Sequence, residues 1–177
     1  MCHYCGCREM PLIRDYIAEH ERATNLGGDA VRALDRGDLA KAEQLLTAMG
    51  AELRSHWQGE ENGLFAVMGR DELFAEHIDP LVREHRELDE LLRTVDVTDP
   101  VDQSRVRAAV FALHEHIAKE EDSLFPASLT ALGGDEWDAS MQAWHDAHPG
   151  DAMIGEEAVR SDIHRPHRPD AADAPRT

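Results

Sequence analysis

The chain is predicted to be all-α, a bundle of helices. Alternating β-type runs are scarce, and long stretches rich in Ala, Leu, Glu and Arg dominate. In the main stretches apolar residues recur at helical spacing. One segment also occurs twice. His56-Trp-Gln-Gly-Glu60-Glu61-Asn-Gly-Leu64-Phe65 and His116-Ile-Ala-Lys-Glu120-Glu121-Asp-Ser-Leu124-Phe125 both read H-x3-E-E-x2-L-F, 60 positions apart. At about 100° per residue, the His and the first Glu of each copy share one helix face. Imidazole and carboxylate on one face, followed by Leu-Phe, suit inward-facing metal ligands better than a solvated charge stripe. His20 and His85, on two further helical stretches, complete the set.

The elements follow in order. Residues 1–9 form a cysteine-rich leader. Helix one is expected from about Met10 to Asn25, carrying Ile13, Ile17 and His20, with Gly27-Gly28 as its stop. A short piece around Ala30–Asp35 precedes Asp38, a cap for helix two with Leu45, Leu46, Met49, Leu53 and His56. Gly59 and Gly63 interrupt that helix. Each costs about 1 kcal/mol against Ala, so a close backbone approach beside Glu60 is expected. Asp79-Pro80 opens helix three, with Leu81, His85, Leu88 and Leu92, and Asp99-Pro100 opens helix four, with Val106, Val110, Leu113 and His116. Pro126 should bend or end that helix. A fifth helix, about Asp135 to His145, puts Trp137, Met141 and Trp144 on one side to cover one end of the bundle. The units read as leader 1–9, bundle 10–132, accessory helix 133–148 and a disordered tail 149–177, the last rich in Pro, Asp, Ala and Arg.

The formal charge of −18 excludes phosphate backbones and anionic membrane surfaces as partners. No apolar run approaches the roughly 18 residues of a span, and the amino terminus lacks the pattern of a secretory signal. Cys2, Cys5 and Cys7 are too clustered to staple distant parts of a fold, which fits reduced thiols in a cytoplasm. Such thiols can bind soft metals, exchange disulfides or engage a protein partner. The proposed ligands all lie in the bundle, so the leader is expected to be separable from the metal site.

Mixed imidazole and carboxylate ligation around paired metals favours redox-active iron over a closed structural zinc, with manganese or zinc also accommodated. The ordered set His20, His56-x3-Glu60, His85, His116-x3-Glu120 and Leu124-Phe125-Pro126 resembles the hemerythrin family, in particular its HHE cation-binding branch. The resemblance spans roughly residues 10–130. It implies an antiparallel up-down four-helix bundle, here with an extra C-terminal helix, around a non-haem di-iron centre. Glu60 and Glu120 would bridge two oxo- or hydroxo-linked irons, with the four histidines dividing between them. Oxygen carriers of the family place a further histidine where this chain has Asp89. Asp89 is a ligand, an acceptor for an imidazole N–H or a surface acid. The carriers' fourth-helix carboxylate follows its histidine by five positions, which keeps Glu121 open as a substitute for Glu120.

The implied function is binding or sensing of oxygen, nitric oxide or peroxide. The alternatives are an enzyme that decomposes peroxide or handles nitric oxide, and an iron donor for iron–sulfur cluster repair. Tyr16 reads as a core tyrosine, His114 as exposed and His77 as part of a connection. His145, His148, His164 and His167 are expected to offer at most weak, adventitious metal binding.

Overall fold

The computed structural model describes residues 7–154, and helix is the only regular secondary structure among them. Cys2, Cys5 and the tail histidines His164 and His167 lie outside those residues. A 3-10 turn, Cys7–Glu9, leads into α1 (Pro11–Asp35), followed by α2 (Leu39–Asn62), the short α3 (Leu64–Met68), α4 (Glu72–Thr94) and α5 (Pro100–Lys119). α5 runs without a gap into a π-helical turn, Glu120–Leu124, and then into α6 (Phe125–Ala131); α7 is Gly134–Ala147.

The helix starts follow their chemistry. Asp38, Asp71 and Asp99 each accept a hydrogen bond from a first-turn backbone N–H, at 3.2, 2.9 and 2.8 Å. Pro11 and Pro100 stand at first-turn positions, where no N–H is needed.

Three boundaries differ from the sequence reading. α1 passes through Gly27-Gly28 to Asp35. A Cβ on Gly27 would lie 3.2 Å from both Met49 Sδ and Val110 Cγ2, so the glycine marks a close crossing of α2 and α5 rather than a stop. Buried Ala23, Ala30 and Ala33 extend that tight contact along α1 and offset the weak helix propensity of glycine. α4 begins at Glu72, under the Asp71 cap, and Pro80 lies inside it. The hydrogen bond that Pro80 withholds falls on the carbonyl of Glu76, an exposed residue. His77 is therefore an exposed helical residue rather than part of a connection. Helix also continues past Pro126, as α6.

α1 packs along α2 and touches α5, α4 packs on α2 and α5, and α7 lies against α2. Two apolar clusters form. One gathers Leu12, Ile13, Tyr16, Leu64, Phe65, Leu124, Phe125 and Trp144; the other gathers Ala23, Ala30, Leu46, Met49, Leu53, Val106 and Leu113. Along α1, His20 falls between the two clusters. Residues 149–154, assigned by sequence to the tail, return to α1: Met153 is buried and the Ile154 N–H donates to Asp15 Oδ1 at 2.7 Å. No described helix is long and apolar enough to cross a membrane.

Candidate metal centre

Six buried polar side chains occupy one chamber between the apolar clusters: His20, His56, Glu60, His85, His116 and Glu120. These are the six read from the sequence, and the fold brings all of them together. Helical i,i+4 spacing sets His56 Nε2 3.2 Å from Glu60 Oε2 and His116 Nε2 2.9 Å from Glu120 Oε1. His20, His56, Glu60 and Glu120 form one group able to hold a cation, and His85, His116 and Glu120 form a second. Glu120 belongs to both, and Glu60 reaches the second group at 3.8 Å from His85 Nε2.

The donor atoms face one another. His20 Nε2 lies 3.0 Å from His56 Nε2, and His85 Nε2 lies 2.9 Å from His116 Nε2. All four oxygens of Glu60 and Glu120 are buried without a correctly directed hydrogen bond, although imidazoles are close. Buried carboxylates left so exposed to one another are costly, and a pair of cations supplies what they lack. The residues present fit a two-metal site.

The outer ring nitrogens are equally specific. His20 Nδ1 faces Glu121 at 3.0 Å, His56 Nδ1 faces Glu19 at 2.7 Å, His85 Nδ1 faces Glu61 at 2.9 Å and His116 Nδ1 faces Glu84 at 2.8 Å. An ionised carboxylate only accepts, so each Nδ1–H donates outward, which leaves each Nε2 as the inward atom that can give up its proton and ligate a metal. Glu121, open as a ligand on sequence, thus holds His20 from behind. Glu19 and Glu84 were not read from the sequence. Their signal was present, because each is the residue immediately before a site histidine, in Glu19-His20 and Glu84-His85.

Consecutive residues at the start of the π turn Glu120–Leu124 serve both layers, Glu120 inside and Glu121 on His20, as Glu60 and Glu61 do on α2. The close approach expected beside Glu60 is made by Tyr16 and α7. A Cβ on Gly59 would lie 3.4 Å from the Tyr16 hydroxyl and 3.5 Å from Trp144 Cα, and one on Gly63 would meet the Ser140 carbonyl at 3.0 Å. α7 is consequently part of the site's surroundings. The Trp144 indole N–H donates to Glu19 Oε1 at 2.6 Å, and His148 stacks on Trp144 with its Nε2 3.5 Å from the same oxygen. His148 was expected to be adventitious and instead caps Glu19.

Charge balance follows this wiring. Burial disfavours the imidazolium of His116, but Glu120 and then Glu84 outweigh it and raise its pKa to about 9. Burial likewise opposes the charged forms of His56 and His20, yet Glu60 and Glu19 raise the first and Glu120 and Glu121 raise the second. Burial pushes the Glu120 carboxyl up, and His116, with His20 and His85, pulls it well below the usual carboxylate range. Protons thus hold places that metal ions can take.

Other candidates resolve by contact. Asp89 pairs with Arg54 at 3.2 Å and Arg93 at 3.4 Å, half-exposed, and is a surface acid rather than a ligand or an imidazole acceptor. Tyr16 is fully buried, edge-on to His56 and stacked on Phe125, with its hydroxyl unpartnered. His114 is exposed. One contact links the end of the leader to the site's surroundings: Arg8 reaches Glu121 Oε2 at 2.6 Å, directly behind His20.

Comparison with known families gives one match. The Hemerythrin HHE cation binding domain family matches residues 12–128. No curated protein and no solved structure matches the chain. The chain belongs to that hemerythrin HHE cation-binding family.

Proposed function

We propose that this member of the hemerythrin HHE family is a non-haem di-iron protein that binds or senses oxygen, nitric oxide or peroxide. His20, His56, Glu60, His85, His116 and Glu120 would hold the two ions, with Glu120 common to both groups. The bundle is an antiparallel up-down arrangement of α1, α2, α4 and α5, and α7 is an accessory helix outside the family core. The observation that carries the reading is the set of four inward Nε2 atoms around two buried carboxylates without hydrogen bonds.

Bound iron would supply redox electrons and open coordination for a small ligand. The chain's own residues do the rest. Glu19, Glu61, Glu84 and Glu121 fix ring orientation and keep each Nδ1 protonated. Phe65 stacks on His85 and Phe125 on His20, both at 5.8 Å, and together they exclude water from the chamber. Sensing would pass outward through Arg8, which joins the cysteine-rich segment to Glu121. This fits a cytoplasmic protein with a partner at its amino terminus.

Metal analysis, with optical spectra of anaerobically reduced protein before and after air, tests the assignment. About two irons per chain and a visible change on exposure are expected. Absence of bound transition metal after anaerobic loading would falsify it. Steady-state consumption of hydrogen peroxide would move the reading from sensor to enzyme.

A further inference from the structure

The chamber is walled unevenly. On the His20–His56 side, Glu19 is 1% exposed beneath Trp144 and His148, and Glu121 is 14% exposed beneath Arg8. On the His85–His116 side, Glu61 and Glu84 are 32% and 36% exposed. A cleft of about 530 Å³ lies between α4 and α5 on that second side. Leu88, Leu91, Ala109 and Leu113 line it, and His85 and His116 form part of its wall. Trp57, stacked on His85 at 4.9 Å, lines the same cleft and carries a buried indole N–H without an acceptor.

We propose that the α4–α5 cleft is the entrance to the site, and that the position held by His85 and His116 is the one that exchanges ion and ligand with solvent. The His20–His56 position is the resident one, sealed by residues from both chain ends that lie outside the family match. The inference rests on the two-metal reading and adds which half is open. The walls select the class of visitor. Apolar sides slow a bare hydrated ion, so metal leaves most readily with a neutral chelator, while Glu84, Glu87 and Glu115 disfavour anions; both cations of the lining are already paired, Lys119 with Glu84 at 2.6 Å and Arg105 with Asp102 at 2.8 Å. Small uncharged molecules with an acceptor atom are favoured, the Trp57 N–H offering the donor. The volume exceeds that of a diatomic and admits small organic molecules.

Cobalt(II)-loaded full-length protein mixed with excess 1,10-phenanthroline, a neutral chelator, tests this through the rate of metal release. Two phases of one ion each are expected. Ala112→Trp fills the cleft from its exposed lip and should remove the fast phase, so that both ions leave at the slow rate. Ala108→Trp should repeat the effect if Ala112→Trp fails to fold. Trp144→Phe keeps an aromatic ring but removes the donor to Glu19, and should accelerate only the slow phase, by roughly 10-fold or more. Release of two ions in one phase overturns the entrance, as does a fast phase unmoved by a folded cleft variant. Fewer than two cobalt ions per chain overturns the two-metal reading itself, and the entrance with it.

Discussion

The two copies of H-x3-E-E-x2-L-F do the same chemistry by different backbones. In each, the first Glu enters the chamber and the second holds the histidine of another helix: Glu61 holds His85, and Glu121 holds His20. The Glu-His pairs cross in the same sense, Glu19 to His56 and Glu84 to His116. Each Phe then stacks on the histidine that its own copy's second Glu holds. The backbones differ within the motif. The first copy ends α2 at Asn62, turns at Gly63 and restarts as α3, whereas the second stays helical through a π turn. Side-chain roles repeat where backbone conformation does not. The site's inner chemistry is therefore duplicated, and its differences come from what packs outside each half.

The largest expected effect strikes both halves at once. Replacing Glu60 and Glu120 with Ala should abolish binding of both metals, measured as metal per chain after loading, because Glu120 serves both groups and Glu60 reaches both. Retention of both ions in the double variant would break the assignment. Next come the stacked rings. Phe65→Ala and Phe125→Ala should each lower stability by about 3–5 kcal/mol, read from urea unfolding. Phe125 is 1% exposed and Phe65 2%. Similar losses would extend the equivalence of the halves to packing.

Glu19→Gln and Glu84→Gln probe where equivalence ends. Both remove the charged acceptor of a site histidine, an effect on the order of 10–100-fold in metal affinity. The Glu19 change should be the larger, because Glu84 is partly exposed and water can stand in for it. Competition titrations with a chelator measure the difference, and equal losses would remove the distinction between sealed and open sides.

A smaller effect depends on pH. His116 carries a folded pKa of about 9 in the metal-free chain, against ~6.5 for an unfolded imidazole. A raised pKa means that the folded state holds the proton more tightly. The stabilisation is complete below pH ~6.5 and is lost as pH climbs through about 9. Metal reverses the sign, since bound ions replace protons and the loaded chain gains stability across the same window. Urea midpoints at about pH 6 and about pH 9.5, with and without metal, should therefore move in opposite directions. A metal-free midpoint that rises with pH would contradict the wiring of His116. The smallest effect belongs to Asp89→Ala, which removes surface ion pairs worth at most about 1 kcal/mol and should leave metal content unchanged.

The six chamber residues were legible because i,i+4 spacing on a helix is a local rule that sequence records directly. Glu19 and Glu84 were harder to read. Each sits about 100° around the helix from its neighbouring histidine, and that direction acquires meaning only when another helix brings an imidazole to it. The run of α1 through Gly27-Gly28 was misread for a related reason: a glycine that stops a helix and one that admits Met49 and Val110 look alike until the partners are placed. Pro80 misled because its missing hydrogen bond falls on the exposed Glu76, where the loss is small. The role of α7 was half legible. Its apolar face predicted a cover, but the Trp144 N–H and His148 found Glu19 through contacts far apart in sequence.

The breaks after Asn62 and Lys119 have a consequence for anyone transplanting the motif. Phe65 follows His56, and Phe125 follows His116, by nine positions. On an uninterrupted α-helix nine steps of about 100° leave the ring on the side opposite its histidine. Gly63 in one copy and the π turn in the other reset the phase and return the ring to the chamber. Grafted onto an idealised straight helix, the ten-letter motif would keep its His and Glu but throw its phenylalanine outward. A designer must copy the irregularity along with the letters.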